Sequence, residues 1–139
     1  MKLSTRTEYG IRAMLDLAER AGLGPVQSHD IAERQDIPEP YLNQILGLLR
    51  KAGLVESRRG PGGGHLLARP AAEITLAELV SALEGPILSP DEWVGHESRP
   101  LVLQEVCREV AESTQRILGQ VTLADAVERE HQRAYTYQI

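Results

Sequence analysis

The sequence predicts a mainly α-helical fold with one small β-hairpin wing, and three observations carry that expectation. In the stretch 28–69, SHDIAERQDIPEPYLNQILGLLRKAGLVESRRGPGGGHLLAR, Leu42, Ile45, Leu46 and Leu49 recur at i, i+3, i+4 and i+7, which turns one face of a helix toward a core. Two short strand-like runs flank Gly60-Pro61-Gly62-Gly63-Gly64, as in a hairpin whose tip needs positive backbone φ. From Pro100 a longer stretch places Leu103, Val106, Val110 and Ile117 on a seam spaced 3, 4 and 7. Two short helices, a tight turn and a hairpin make a winged helix-turn-helix, here followed by a long helical arm.

The elements follow in order. Thr5 and Glu8 have capping-box spacing, and Tyr9, Ala13, Leu17 and Ala21 continue at intervals of four, so a first helix is expected from Thr5 to Gly22. After Gly24-Pro25, Ser28 is expected to cap a second helix whose first turn holds Asp30 and whose inner residues are Ile31 and Ala32. Asp36, Ile37 and Pro38 make the turn; Pro40 suits the first position of a third helix and Gly53 its stop. Strands are expected over Leu54–Arg59 and His65–Arg69. Ile74, Leu76, Leu79, Val80 and Leu83 mark a fourth helix ending at Gly85-Pro86. Residues 85–100 read as a loop, with Trp93 as its anchor. The long helix runs to about Gln120, with polar Ser113 on its seam, and Thr122 with Asp125 starts a last helix that turns Leu123, Ala126 and Val127 inward. The expected division is 1–84 for the winged helix-turn-helix, 85–100 for an effector loop, and 101–139 for the dimerisation helix and C-terminal helix.

Composition narrows the function. The chain of 139 residues suits one domain with a helical arm. With four Tyr, one Trp and no Phe, it has an aliphatic core and no stacking platform for single-stranded nucleic acid. The opening MKLSTRTEYG lacks an apolar signal core and no window approaches a membrane span, so a soluble cytoplasmic protein with no membrane partner is expected. The net charge of −5 argues at first against nucleic acid, but residues 1–69 hold ten Lys/Arg against eight Asp/Glu, while residues 70–139 hold five against twelve. The basic charge thus travels with the winged helix, and the acidic half should point away from a phosphate backbone.

The outer face of the third helix carries Tyr41, Asn43, Gln44, Arg50 and Lys51, which combine base-edge hydrogen bonding with phosphate-seeking charge. Arg58 and Arg59 precede the glycine loop, where they can reach a phosphate backbone or a minor groove. Ser28 and Gly60 complete the candidate DNA contacts. Each has a plain structural alternative: Arg50 and Lys51 complement a helix C-terminus, and the wing arginines could be a solvated basic turn. The glycine loop is no phosphate-binding loop, because no Gly-Lys-Ser/Thr follows it. Histidines 29, 65, 96 and 131 lack metal-site spacing; His65 reads as a wing residue, while His96 sits among Asp91, Glu92 and Glu97. The single Cys107 excludes an intramolecular disulfide, lies beside the seam and reads as a small core residue. No nucleophile elbow or Cys/His pair is present, and the chain is not expected to be an enzyme.

MKLSTRTEYGIRAMLDLA, IAERQDIPEPYLNQIL, LRKAGLVESRRGPGGGHLLAR and ITLAELVSALEG together resemble the Rrf-two family of bacterial winged-helix regulators, strongly over residues 1–85. The long helix and TLADAV at 122–127 resemble that family's dimerisation region. The resemblance implies a homodimer on double-stranded DNA, with the third helices in successive major grooves and the wings at the minor groove. It assigns base reading to Pro38, Tyr41, Asn43 and Gln44, and the minor groove to Arg59. In an iron-sulfur regulator of the family the positions of Pro38 and Asn43 hold serine and glutamate; Asn favours adenine where Glu favours cytosine. Cluster-binding members also place three cysteines in the loop before the long helix and a histidine on that helix. Here GPILSPDEWVGHESRPLVLQEV holds no thiol and Gln104 takes the histidine position. No conventional [2Fe-2S] cofactor and no metal are therefore expected.

The leading expectation is a homodimeric, sequence-specific repressor whose effector is a protein or a small molecule. Two alternatives are a winged-helix module that binds a metabolic enzyme, and a thiol- or metal-responsive sensor using Cys107 or His96.

Overall fold

The computed structural model describes residues 3–85 and 100–137. Within them the order is α1 (Thr5–Glu19), α2 (Ser28–Gln35), α3 (Glu39–Lys51), β1 (Val55–Arg58), β2 (Gly64–Leu67), a short 3-10 turn (Ala71–Glu73), α4 (Leu76–Glu84), α5 (Leu101–Gly119) and α6 (Leu123–Tyr137). The fold is mainly helical with a two-stranded antiparallel hairpin, as the sequence predicts. Trp93 and His96 lie outside the described residues.

Several boundaries differ from the sequence expectation. The cap of α1 is Ser4, whose hydroxyl accepts the Thr7 N–H at 3.2 Å, and the helix ends at Glu19 three residues before Gly22. Thr7 is itself buried and donates from its hydroxyl to Glu84 of α4 at 2.5 Å, so its role is tertiary. Ser28 is the first residue of α2, not its cap; Gln27 holds that place without a side-chain bond. Pro40 stands one residue inside α3, where Pro38 is the N-cap. The first strand is one residue shorter than expected at each end, and the second begins one residue earlier, at Gly64, and stops two residues earlier, at Leu67, because pairing is confined to the register Val55↔Leu67 through Arg58↔Gly64. Ile74 is fully buried but precedes α4, which begins after the Thr75–Glu78 capping box.

One core organises the chain. Ala13, Met14 and Leu17 of α1, Ile31 of α2, the four inward residues of α3, and Leu79 and Leu83 of α4 bury together. Gly10 sets the closest approach of α1 to α4, since a Cβ there would run into the Leu83 side chain. Leu123 at the start of α6 returns to the same core with no exposure, tied by its N–H to the Ile74 carbonyl at 2.7 Å. The expected Thr122–Asp125 box is present, at 3.0 and 3.1 Å.

α5 carries two apolar stripes. Cys107 and Ala111 are buried where α5 packs on α4. Leu103, Val106, Val110 and Ile117 lie on a second stripe and are 44–59% exposed. Among the described residues no helix is long and apolar enough to cross a membrane.

Candidate nucleic-acid interface

α2, the turn and α3 are held by a few local devices. Asp36 closes α2 in the left-handed region (φ 53°, ψ 52°), which Asp tolerates better than most side chains. Ile37 is buried and its N–H reaches the Ala32 carbonyl at 3.0 Å, pinning the turn to the core. α3 then buries Leu42, Ile45, Leu46 and Leu49 to 1% exposure or less, so the opposite face must look outward.

That outward face holds Pro38, Asn43, Gln44, Arg50 and Lys51, all exposed. Tyr41 sits apart from them. It is half-buried, with its ring edge-on to Tyr9 of α1 at 5.7 Å between centroids. Tyr41 is therefore both a packing residue and a rim residue of this face. Ser28 is half-buried, with its hydroxyl 3.4 Å from Glu39, and His29 lies 3.3 Å from the other oxygen of that carboxylate. Glu39 thus ties the first turns of α2 and α3 together, a role the sequence did not single out.

The wing follows directly. Arg58, Arg59 and Gly60 are exposed at the end of β1. Arg58 is drawn toward Glu56 at 3.5 Å, an exposed pair of small net value. Arg59 makes no hydrogen bond or ion pair among the described residues, which leaves its guanidinium available to an anion. At the wing root, Gly64 has φ +149°, and a Cβ there would stand 2.6 Å from the Val26 carbonyl oxygen. This close approach lets His65 exchange two backbone hydrogen bonds with Val26, at 2.9 and 2.7 Å.

Sequence reasoning missed two polar networks that shape the interface. Ser57 Oγ lies 2.8 Å from His65 Nδ1 and 3.4 Å from Arg50 Nη1, which links wing and α3. Burial, aided by the Arg50 charge, lowers the His65 pKa and so favours its neutral ring. Behind α2, the fully buried carboxylate of Asp16 accepts from Arg34 Nε at 3.0 Å, Arg34 Nη2 at 2.9 Å and Gln35 at 3.1 Å, with Arg20 at 3.4 Å. Burial pushes this carboxyl up, but the Arg34 and Gln35 hydrogen bonds and the two arginine charges outweigh it, and the net direction is down. The sequence signal was an acid interrupting the inward run Ala13, Met14 and Leu17.

Among the described residues no group of three or more His, Cys, Asp or Glu side chains is placed to hold a metal. Cys107 is buried, on α5.

Comparison with known proteins identifies the family and the fold. The family model Rrf2, described as an iron-dependent transcriptional regulator, matches residues 3–129. A Neisseria meningitidis serogroup A protein that carries the name of an HTH-type transcriptional regulator is 39% identical over 134 residues, covering 94% of this chain and 90% of the relative. The HTH-type transcriptional regulator IscR of Xenorhabdus nematophila is 50% identical over 84 residues, 60% of this chain and 51% of that protein. Among solved structures, T. potens IscR superposes with a TM-score of 0.79 at 40% identity, covering 94% of this chain and 88% of that one. CymR, the global cysteine regulator of B. subtilis, gives 0.82 at 32% identity, covering 93% and 98%.

Proposed function

The chain belongs to the Rrf2 family of transcriptional regulators, and from that premise we propose that it is a cytoplasmic, homodimeric repressor that binds double-stranded DNA without a conventional iron-sulfur cluster. The observation that carries this reading is the continuity of the exposed face of α3 with the wing. Asn43 and Gln44 offer paired donors and acceptors to base edges, while Arg50, Lys51, Arg58 and Arg59 offer charge to phosphates. Asn43 reads adenine, Arg59 reaches a minor groove, and Pro38, Tyr41, Ser28 and Gly60 shape the approach. The exposed stripe of α5, Leu103, Val106, Val110 and Ile117, is covered by a second copy of itself, because a seam of that kind is not left in water.

Selection of bound fragments from genomic DNA by the purified protein, followed by footprinting, tests this reading. Two protected half-sites about 34–36 Å apart, or a multiple of that, are expected; protection of one isolated half-site contradicts the dimer. A reporter driven from the selected site should rise when the gene for this chain is deleted, whereas a fall makes it an activator.

Arg59→Ala is expected to weaken binding by about 1–3 kcal/mol and to flatten the dependence of log affinity on log salt. A variant with the affinity and salt slope of the parent removes the wing from the interface.

The residues present do not fit a cluster held through cysteines. The chain has one thiol, which is buried on α5, and the family resemblance sets Gln104 at the position of the histidine ligand. Protein purified with or without oxygen should be colourless; visible absorbance with bound iron and sulfide after reconstitution refutes the cluster-free reading.

A further inference from the structure

A cleft of about 280 Å³ opens between the C-terminal end of α1, the loop from α1 to α2, and β2 with the residues that follow it. It is lined by apolar Leu17, Val26 and Leu67 and by Arg20, His65 and Arg69, and no acidic side chain among the described residues lines it. Its volume lies just below the roughly 300–1,000 Å³ of ligand pockets, which suits a small metabolite and not a peptide.

The two arginines are only partly engaged. The shortest approaches of Arg20 to Asp16 and Glu19 are made by Nη1, which also donates to the Asp16 carbonyl. Its Nε–Nη2 edge has two parallel N–H groups, the arrangement that receives a carboxylate, and no partner among the described residues. Arg69 spends Nη2 on Glu78 at 2.7 Å. Its Nε is the one buried side-chain nitrogen or oxygen among the described residues without a hydrogen-bond partner, an exception in folded proteins; it is closed to solvent in this conformation, so an anion in the cleft meets it only as the Arg69 side chain turns toward the cleft. The surroundings of His65 favour its neutral ring, and the arginines carry the charge of the cleft.

We propose that this cleft is the effector site, taking a small organic carboxylate whose apolar body lies against Leu17, Val26 and Leu67 and whose anion is held by Arg20 and Arg69. Its effect on DNA rests on the DNA-binding reading above. The route is short. His65 lines the cleft, exchanges backbone bonds with Val26, and reaches Arg50 of α3 through Ser57. An occupant that moves His65 therefore bears on the wing root and on the end of α3 together.

The probes are phenylacetate and hexanoate, with phenylacetamide as the uncharged control, added to the full chain without DNA. At least one carboxylate should raise the melting temperature and shift the backbone amide resonances of Val26, of residues 65–69 and of Ala71, with the amide inert at equal concentration. Arg20→Gln should weaken that binding at least about tenfold, in keeping with loss of a bidentate charged contact. Resonance mapping keeps the test valid if that variant folds poorly. Saturating carboxylate should change affinity for the footprinted site at least about fivefold, the lower end of ordinary allosteric coupling. No response to either carboxylate, an equal response to the amide, or resonance shifts elsewhere overturns the site. Binding with unchanged DNA affinity overturns the effector role. Free protein that binds no DNA at all defeats the regulator reading, while the carboxylate arm still judges the cleft.

Discussion

Arg34→Ala is expected to cost the fold about 3 kcal/mol, the lower end of the range for stranding one partner of a buried ion pair. The reason lies in which charge is left behind. Arg34 keeps 35% of its side chain exposed, but Asp16 is fully buried, so the substitution strands a carboxylate that water cannot reach. Arg20 and Gln35 still contact it, which sets the loss at the lower end of the range. For a chain of this size the melting temperature should fall by about 10 °C or more.

The acid response gives the sharper check. In the parent, Asp16 is held below its ordinary value, so its stabilising contribution is present above the unfolded value near pH 3.9 and disappears as pH falls through the lower folded value. Without Arg34, burial dominates and the folded value moves up. The variant then recovers by taking a proton, and the stability gap between variant and parent should narrow as pH falls from 7 toward 3.5. Denaturant titrations at both pH values measure this; a gap that stays constant shows that the Asp16 charge is not what Arg34 serves. Because Asp16 binds the residue just before the Asp36 turn, the destabilised variant should also loosen the seat of α3.

If the proposed dimer forms through α5, Val110→Asp is expected to give a monomer in sedimentation and to weaken binding to a two-half-site DNA by about 100-fold or more, since the second half-site contact is no longer intramolecular. Val110 is 44% exposed in one chain, so the protomer itself should melt close to the parent monomer. The neighbouring substitution Ala111→Asp makes the contrast. Ala111 is 5% exposed on the stripe that packs against α4, so a charge there should destabilise the protomer before any question of dimerisation arises. A Val110→Asp protein of unchanged mass would assign the exposed stripe to something other than a second copy.

Leu42, Ile45, Leu46 and Leu49 announce the inward face of α3 through spacing, and the outward placement of Asn43, Gln44, Arg50 and Lys51 follows from the same geometry. Tyr41 was harder. Its position along the helix places it near the outer face, but contact with Tyr9, thirty-two positions earlier, draws it half inside. The hairpin was visible through its glycines, while its register and the Gly64–Val26 approach were not, because they depend on where the α1–α2 loop passes. Asp16 interrupts the inward run of α1, but spacing along that helix does not name its partners; only the arrival of Arg34 and Gln35 from α2 makes it a buried anchor.

By itself the sequence determined the order of helices and strands, the inward face of α3, the wing and the absence of the usual cluster thiols, since each is written in local spacing, turn chemistry or residue identity. Tertiary structure decided which stripe of α5 serves the protomer, that Leu123 returns to the core, and that Arg20, His65 and Arg69 line one cleft. Those outcomes depend on surfaces brought together from distant parts of the chain, and periodicity along one helix says which residues share a face without saying what that face will meet.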